Sequence, residues 1–218
     1  MNLPPSGSAG SIEAVVFDVG GVLMPTPLGE FDRIDAEYDL RPGTTMDLFR
    51  GGSLFAKCEI GELSFADFCI DAIAQIRAEQ GVAVPAQRLD KMMWTLMGGQ
   101  VSAGMIDLVT QIKAAGLRTA LLSNVFAERH AWLSELFPAG VIDLNCSSYV
   151  VGLRKPEVAI YREMLTRLDL SPHQVAFVDD FPENVEAATA VGIHGLLFLG
   201  EAECRRQLHA LGVPVTVT

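Results

Sequence analysis

The chain has 218 residues, of which 50% are apolar and 20% are charged, enough for one large domain or for a domain with an insertion. It carries 16 Lys and Arg against 27 Asp and Glu, a formal net charge of −11. An acidic surface repels a phosphate backbone, so we expect no nucleic acid among its partners. Charged residues interrupt the apolar stretches before they reach the ~20 residues of a membrane helix, so we expect no membrane span.

The cysteines and the N-terminal residues indicate the cellular location of the protein. Cys58, Cys69, Cys146 and Cys204 have neither Cys-x-x-Cys spacing nor the spacing of zinc ligands, and we interpret them as buried thiols. Residues 1–11 are rich in Pro, Gly and Ser but lack the basic residues and apolar core of a signal peptide, which predicts a flexible leader. The cytoplasm is therefore the predicted location.

Strand-like and helix-like segments alternate along most of the chain. The first strand is predicted at 14–17, an apolar run that ends at Asp18. Further strands or extended segments are predicted at 117–122, 141–151, 175–178 and 193–199, and helices at 102–116, 127–137, 156–168, 182–191 and from 201 onward. Ser102 and Gly116 have the residue types of a helix cap and a helix stop, and Pro156 suits a first helical position. This order predicts an α/β fold with a Rossmann-like, doubly wound parallel sheet.

One stretch interrupts the alternation. Residues 28–99 show helical patterns but no convincing strand, most clearly at 64–80, where apolar residues recur at helical spacing between Ser64 and Gly81. A second helix is predicted after Pro85. We interpret 28–99 as a helical cap inserted into a core formed by residues 12–27 and 100–218.

Polar residues follow four of the predicted strands or the loops after them. They are Asp18, Ser123, Asn124, Lys155, Asp179 and Asp180. Ligands of a parallel sheet bind at the carboxyl ends of its strands, although each single carboxylate could also cap a helix or form a turn. If the first and fourth strands are neighbours, three carboxylates crowd together, which is unfavourable unless a cation neutralises them. Oxygen ligands of this kind suit Mg²⁺.

These residue types also suit phosphoryl transfer. The carboxylate of Asp18 can attack phosphorus and form an acyl phosphate. Lys155 supplies a positive charge for the phosphoryl oxygens, while the Ser123 hydroxyl and the Asn124 amide supply hydrogen bonds. The two glycines after Asp18 let the backbone approach a phosphate or a metal closely, although a simple turn explains them equally well.

Four segments resemble, in identity and order, the motifs of the haloacid dehalogenase superfamily. They are residues 17–23, 122–124, 152–156 and 178–184. The helical insertion is similar to the helical cap class of that superfamily. Within this class the chain resembles the N-terminal phosphatase domain of soluble epoxide hydrolases and bacterial phosphatases of glucose 1-phosphate. The resemblance covers nearly the whole chain from residue 12 on.

The resemblance implies a Mg²⁺-dependent phosphatase and a role for each matching residue. Asp18 would be the nucleophile and a metal ligand, with the Gly20 carbonyl and Asp180 as further ligands. Asp179 would bind the metal through water or orient the site, and Asn184 would support the fourth motif. Ser123, Asn124 and Lys155, together with the backbone of Gly21, would hold the phosphoryl group.

The chain departs from the superfamily pattern at Gly20, where most of its phosphatases have an Asp that serves as general acid and base. Such help contributes roughly 10²- to 10⁴-fold in rate. Its loss implies a slower enzyme, a substrate with a good leaving group such as an anomeric phosphate, or a protein that binds phosphate without turnover. The glucose 1-phosphate group also has Gly here, which favours activity.

We therefore predict a Mg²⁺-dependent phosphomonoester hydrolase that acts on a small phosphorylated metabolite, such as a sugar phosphate, through a phospho-Asp18 intermediate. One alternative is a catalytically weak phosphate-binding or interaction module. A 2-haloacid dehalogenase is disfavoured, because those enzymes use no metal and usually have Tyr at the position of Gly20. Arg154, beside Lys155, could contact the substrate but is interpreted as a surface charge. One of Arg50, Lys57 and Glu59 is expected to select the substrate.

Overall fold

The computed structural model describes residues 11–26, 29–50, 52–97, 99–133 and 135–217. Residues 1–10 of the predicted leader therefore lie outside the described residues. So do the side chains of Met93, Leu96 and Met97, three members of the apolar stripe predicted after Pro85.

The core is a five-stranded parallel sheet with the strand order β3-β2-β1-β4-β5. Its strands are β1 (Ala14–Phe17), β2 (Arg118–Ser123), β3 (Leu144–Ser147), β4 (Val175–Asp179) and β5 (His194–Leu197). β1 lies in the centre, where Phe17 pairs with Leu121 of β2 and Val178 of β4. This confirms the α/β, doubly wound fold that the alternating pattern predicts.

Eleven helices are present in the described residues. They are α1 (Gly29–Glu37), α2 (Thr44–Arg50), α3 (Ser53–Glu59), α4 (Phe65–Gln80), α5 (Ala86–Met97), α6 (Ala103–Ala114), α7 (Ala127–Leu133), α8 (Ser148–Val151), α9 (Val158–Leu168), α10 (Pro182–Ala190) and α11 (Glu201–Ala210). The ends of α6 follow the prediction, since the Ser102 side chain accepts a hydrogen bond from Met105 N at 3.1 Å and Gly116 adopts a φ of +89°. No helix of this part of the chain is long and apolar enough to cross a membrane.

Apolar side chains cover both faces of the sheet. Successive residues of a strand point to opposite faces, so Val15 and Phe17 join a cluster with α6 and α11, whereas Ala14 and Val16 join a cluster with α9. The sheet is therefore buried between two helical layers, which leaves the carboxyl ends of its strands as the edge where polar groups gather.

Helices α1–α5 follow β1 and pack around an apolar cluster of their own. Its centre is aromatic: the rings of Phe49 and Phe68 lie 5.0 Å apart, and those of Phe65 and Phe68 lie 5.8 Å apart. One member comes from elsewhere, because Phe126 in the loop after β2 stacks on Phe65 with ring centres 4.6 Å apart. The helical segment thus contacts the loop that follows Ser123. The boundaries of a cap domain at 28–99 stay a prediction.

Two local predictions are wrong. The extended segment predicted at 141–151 forms a strand only at Leu144–Ser147 and then turns into α8, where the Ser148 hydroxyl donates to the Glu59 carbonyl at 2.7 Å and accepts from Val125 N at 2.8 Å. The helix predicted from Pro156 begins at Val158, because the Asn124 side chain holds the backbone of Lys155 in a loop. Contacts to distant residues override the local pattern in both places.

Candidate active site

The carboxyl ends of β1, β2 and β4 bring the predicted site residues together. Asp18 directly follows β1, Ser123 ends β2 and Asp179 ends β4. Asp18 N donates to the Val178 carbonyl at 2.9 Å, which continues the β1–β4 pairing up to the site. The neighbouring strands therefore place Asp18 beside Asp179 and Asp180, as the sequence predicts.

Lys155 reaches this point from the loop before α9. Its Nζ lies 2.9 Å from Asp18 Oδ1 and 2.7 Å from Asp179 Oδ2, and the residue is only 3% exposed. Burial lowers the pKa of Lys155, but the charges of the two carboxylates raise it by more, so the net shift is upward. The ammonium group is therefore held in its charged form between Asp18 and Asp179.

Asn124 positions Lys155 from the adjacent loop. Its Oδ1 accepts from Lys155 N at 2.8 Å and its Nδ2 donates to the Lys155 carbonyl at 3.0 Å. The sequence predicts that this amide binds the phosphoryl group. In the structure it forms a two-point contact with the backbone of Lys155, and one N–H of Nδ2 remains for another partner.

The two carboxylates of the fourth motif have different surroundings. Asp179 is fully buried and accepts hydrogen bonds from Phe181 N at 2.8 Å and from Asn184 Nδ2 at 3.0 and 3.1 Å, in addition to Lys155. Asp180 Oδ1, by contrast, is buried and has no hydrogen-bond partner. An unsatisfied buried acceptor costs about 1–3 kcal/mol, which a cation at this point would offset.

A metal ion fits this arrangement. Asp18, Asp179 and Asp180 each offer a carboxylate oxygen, and these atoms lie within 4.8 Å of one another. Burial raises the pKa of Asp18 to about 6, opposed by the charge of Lys155 and reinforced by that of Asp179. Three carboxylates face one ammonium group, so the site has an excess of negative charge and hard oxygen donors, which Mg²⁺ prefers.

The two glycines after Asp18 are under different constraints. Gly21 has a φ of +80°, and a Cβ atom there would lie 2.1 Å from Asp180 Oδ2. Gly20 is free of this constraint, since its Cβ would meet only Thr26 Oγ1, at 3.4 Å. Gly21 is therefore in close contact with the Asp180 carboxylate, and the approach of this backbone to a phosphate or a metal stays a prediction.

A cavity of about 150 Å³ opens beside these residues. Gly20, Ser123 and Asn124 line it together with apolar side chains that include Phe55 and Phe126. A larger cavity of about 590 Å³ lies among α2, α3 and α4 and contains none of the predicted site residues. The smaller cavity is therefore the one that matches the chemistry.

Sequence reasoning missed Arg129, which also lines the smaller cavity. Its guanidinium lies 4.3 Å from the centre of the Trp132 ring. The one available signal was the i, i+3 spacing of these two residues on a predicted helix, which places them on the same face.

The interpretation of Arg154 as a surface charge is wrong. Its Nη2 lies 2.7 Å from Glu59 Oε2 and its Nε donates to the same oxygen at 2.9 Å, while Glu59 is only 6% exposed. Burial raises the pKa of Glu59, and Arg154 opposes that shift. This ion pair joins the end of α3 to the residue before Lys155, across 95 positions of sequence, and no local pattern could have revealed it. Arg50, another residue considered above, lies over the Phe181 ring at 4.3 Å.

Known proteins resemble this chain in sequence. Acyl-CoA dehydrogenase family member 10 of Mus musculus is 29% identical over 213 residues, which is 94% of this chain but only 20% of that protein. A sesquiterpene phosphatase of Aspergillus oryzae is 27% identical over 190 residues, covering 85% of this chain and 89% of that protein.

Solved structures share the fold. A HAD family enzyme of Bacteroides thetaiotaomicron in complex with magnesium and inorganic phosphate has a TM-score of 0.65 at 21% identity, over 86% of this chain and 94% of that chain. An L-2-haloacid dehalogenase has a TM-score of 0.63 at 22% identity, over 84% and 85% of the two chains. The sequence profile of the haloacid dehalogenase-like hydrolases matches residues 12–192, most of the 218-residue chain. The chain therefore belongs to the haloacid dehalogenase-like hydrolases.

Proposed function

We propose that this hydrolase is a Mg²⁺-dependent phosphatase that cleaves small phosphomonoesters through a phospho-Asp18 intermediate. The observation that carries the proposal is the cluster of Asp18, Asp179 and Asp180, whose carboxylate oxygens lie within 4.8 Å of one another, with Lys155 Nζ 2.9 Å from Asp18. The similarity to a sesquiterpene phosphatase over 89% of that protein's length also supports phosphatase chemistry.

Asp18 is the nucleophile in this proposal. Lys155 binds Asp18 Oδ1, which fixes the plane of the carboxylate and leaves Oδ2 to attack phosphorus. The bond from phosphorus to the leaving oxygen breaks, and the electron pair leaves with that oxygen, which takes a proton from solvent. Water then hydrolyses the acyl phosphate, which releases phosphate, returns a proton to solvent and regenerates Asp18. Asp18, Asp180 and the Gly20 carbonyl would hold Mg²⁺, which when bound supplies positive charge for the phosphoryl oxygens.

The remaining site residues bind and position. Ser123 lines the cavity next to Asn124, and its hydroxyl donates a hydrogen bond to a phosphoryl oxygen. Asn124 holds the backbone of Lys155 at two points and offers its remaining N–H to the same group. Asn184 and the Phe181 amide hold Asp179, which in turn orients Lys155. The backbone of Gly21, which lies close to the Asp180 carboxylate, would contact the substrate phosphate.

We also propose that residues 28–99 act as a cap that covers this edge of the sheet. Phe126 stacks in the aromatic cluster of helices α1–α5, and Glu59 pairs with Arg154 beside Lys155. Both contacts join the helical segment to loops that carry site residues, so they would keep the cap in place during turnover. The cytoplasm remains our proposed location, with the four cysteines as buried free thiols.

A catalytically weak phosphate-binding module is the second candidate, and Gly20 is the observation that favours it. Glycine has no titratable group, so no residue at this position can protonate a leaving alkoxide. In this candidate the same residues bind a phosphorylated compound, but hydrolysis is too slow to matter.

Phosphate release from para-nitrophenyl phosphate tests the proposal. We expect release by the native chain that depends on Mg²⁺ and falls to the level of the enzyme-free blank in Asp18→Asn. Asp71→Asn is the matched control, since it makes the same substitution at an exposed position of α4. Undetectable release by a folded native chain that binds Mg²⁺, extended over a panel of sugar phosphates, would support the binding module instead.

A further inference from the structure

Arg129 is a cationic side chain in the cavity that the proposed mechanism leaves without a role. It lies on α7, and the cavity of about 150 Å³ that it lines also contains Gly20, Ser123 and Asn124. Any group bound against Ser123 and Asn124 therefore shares this cavity with the Arg129 side chain.

The guanidinium has few direct partners within the protein. Its contacts are the face of the Trp132 ring, 4.3 Å away, and a weak hydrogen bond to Met24 Sδ at 3.3 Å. Among the residues that the structure describes, no carboxylate forms an ion pair with it. Burial lowers the pKa of Arg129 to about 10, against the opposing charge of Asp18, so it stays protonated at neutral pH.

Stacking on Trp132 holds the side chain in place without using its donors. A guanidinium presents five N–H groups in a planar fork that matches the oxygens of phosphate or carboxylate, and the ring face binds the plane rather than the edge. The edge of Arg129 is therefore available to an anion in the cavity. Arg129 is half-buried and has no carboxylate partner among the described residues, so a ligand that supplies negative charge would stabilise it.

Gly20 limits the chemistry of the leaving group in the same cavity. No acid at this position can protonate a departing alkoxide, so a leaving group that is a weak base is required. The bridging oxygen of a diphosphate meets this requirement, because a phosphate monoester leaves as a stable anion. It also places negative charge next to the transferred phosphoryl group.

We propose that Arg129 binds the inner phosphate of a diphosphate monoester, and that the enzyme removes the terminal phosphoryl group from substrates of this class. The inference rests on the proposed function of Asp18. Asp18 attacks the terminal phosphorus, the bond to the bridging oxygen breaks, and its electron pair leaves with the inner phosphate as an alkyl monophosphate. Water then hydrolyses phospho-Asp18 to phosphate, with one proton released to solvent. Phe55, Val125 and Phe126 give the same cavity apolar walls, so the alcohol is apolar.

Three substrates test the proposal at a fixed concentration of free Mg²⁺: hexyl diphosphate, hexyl phosphate and para-nitrophenyl phosphate. We expect the native chain to convert hexyl diphosphate to hexyl phosphate and phosphate in equal amounts, with kcat/KM at least about 10-fold above that for hexyl phosphate. Arg129→Gln should lower kcat/KM for hexyl diphosphate by about 10- to 100-fold, the worth of one charged hydrogen-bonded contact. Its effect on para-nitrophenyl phosphate should stay below about threefold, because that ester has a good leaving group without a second phosphate.

Arg129→Lys distinguishes the contribution of positive charge from that of the planar guanidinium. It keeps the positive charge but loses the fork and the ring contact, so we expect a preference for the diphosphate between those of the native chain and Arg129→Gln. Equal losses on all three substrates in Arg129→Gln would mean that Arg129 only supports the fold, and would overturn the proposal. If Arg129→Gln does not fold, the native comparison decides: release from para-nitrophenyl phosphate without a preference for hexyl diphosphate refutes the diphosphate inference and keeps the phosphatase. Release from none of the three refutes the proposed function itself.

Discussion

The contact between Gly21 and Asp180 gives a sharp test of the metal site. In Gly21→Ala the new Cβ would lie 2.1 Å from Asp180 Oδ2 and 2.6 Å from Asp180 Cγ. Carbon and oxygen atoms in contact stay more than about 3 Å apart, so the carboxylate must move by roughly 1 Å. The backbone at this position also has a φ of +80°, which costs a residue with a side chain about 1–2 kcal/mol.

These two effects predict separate measurements. The cost of the backbone conformation should lower Tm by about 2–8 °C in a chain of this size. A displacement of about 1 Å at a reacting centre lowers the rate by on the order of 10²-fold, so kcat/KM for para-nitrophenyl phosphate should fall by about that factor. Calorimetric titration with Mg²⁺ should show weaker binding, because the Asp180 carboxylate is displaced from the position where it would share the metal with Asp18.

Gly116→Ala is the matched control for this experiment. Gly116 has a φ of +89°, but a Cβ atom there would meet nothing within 4 Å, and the residue follows α6, away from the site. It should lose a similar amount of stability and keep both Mg²⁺ binding and turnover. If Gly21→Ala also keeps Mg²⁺ affinity and activity, the position of the Asp180 carboxylate does not control the metal site and the reasoning fails.

Two further changes test the site and the fold. Gly20→Asp adds the missing acid at a position where a Cβ atom meets only Thr26 Oγ1, at 3.4 Å. The value of kcat/KM should rise more for hexyl phosphate than for para-nitrophenyl phosphate, by up to the ~10²- to 10⁴-fold of general acid catalysis. An equal change for both esters, or the same change in Gly20→Asn, would count against this. Asp143 tests acid stability: burial raises its pKa, but hydrogen bonds from Lys113 and Thr119 N lower it by more, so the net pKa is lowered. Its stabilisation is therefore present above the unfolded value of about 4 and is lost as pH falls through the folded value. Urea unfolding between pH 7 and pH 3 should show a weaker pH dependence in Asp143→Asn, and an unchanged dependence would contradict the assignment.

Local sequence patterns predict most strands and helices and the residue types at the carboxyl ends of the strands. The apolar run at Ala14–Phe17 can only be satisfied by burial on both faces, and the cap at Ser102 and the stop at Gly116 depend on residues within one turn of the helix. Signals of this kind are readable because their physical causes lie within a few residues along the chain. The sequence left open whether the first and fourth strands are neighbours, and the pairing of β1 with β4 in the structure places Asp18 and Asp179 side by side.

Contacts between distant segments set how the site residues interact. Lys155 bridges Asp18 and Asp179, and Asn124 holds the backbone of Lys155 from 31 positions away in the sequence. The ion pair between Glu59 and Arg154 likewise joins residues 95 positions apart in the sequence, and the interpretation of Arg154 as a surface charge did not include it.

The cavity shows this limit most clearly. Phe126 directly precedes α7 and Arg129 lies on it, whereas Gly20 follows β1 and Phe55 lies on α3, and no local pattern indicates that these distant segments line one space. Arg129 stacks on Trp132 and keeps N–H donors for a ligand, and Asp180 Oδ1 has no hydrogen-bond partner. Both features result from how distant segments pack around these side chains. Local patterns therefore determined which residues stand at the edge of the sheet, whereas packing between distant segments decided which of their polar atoms remain open to a ligand.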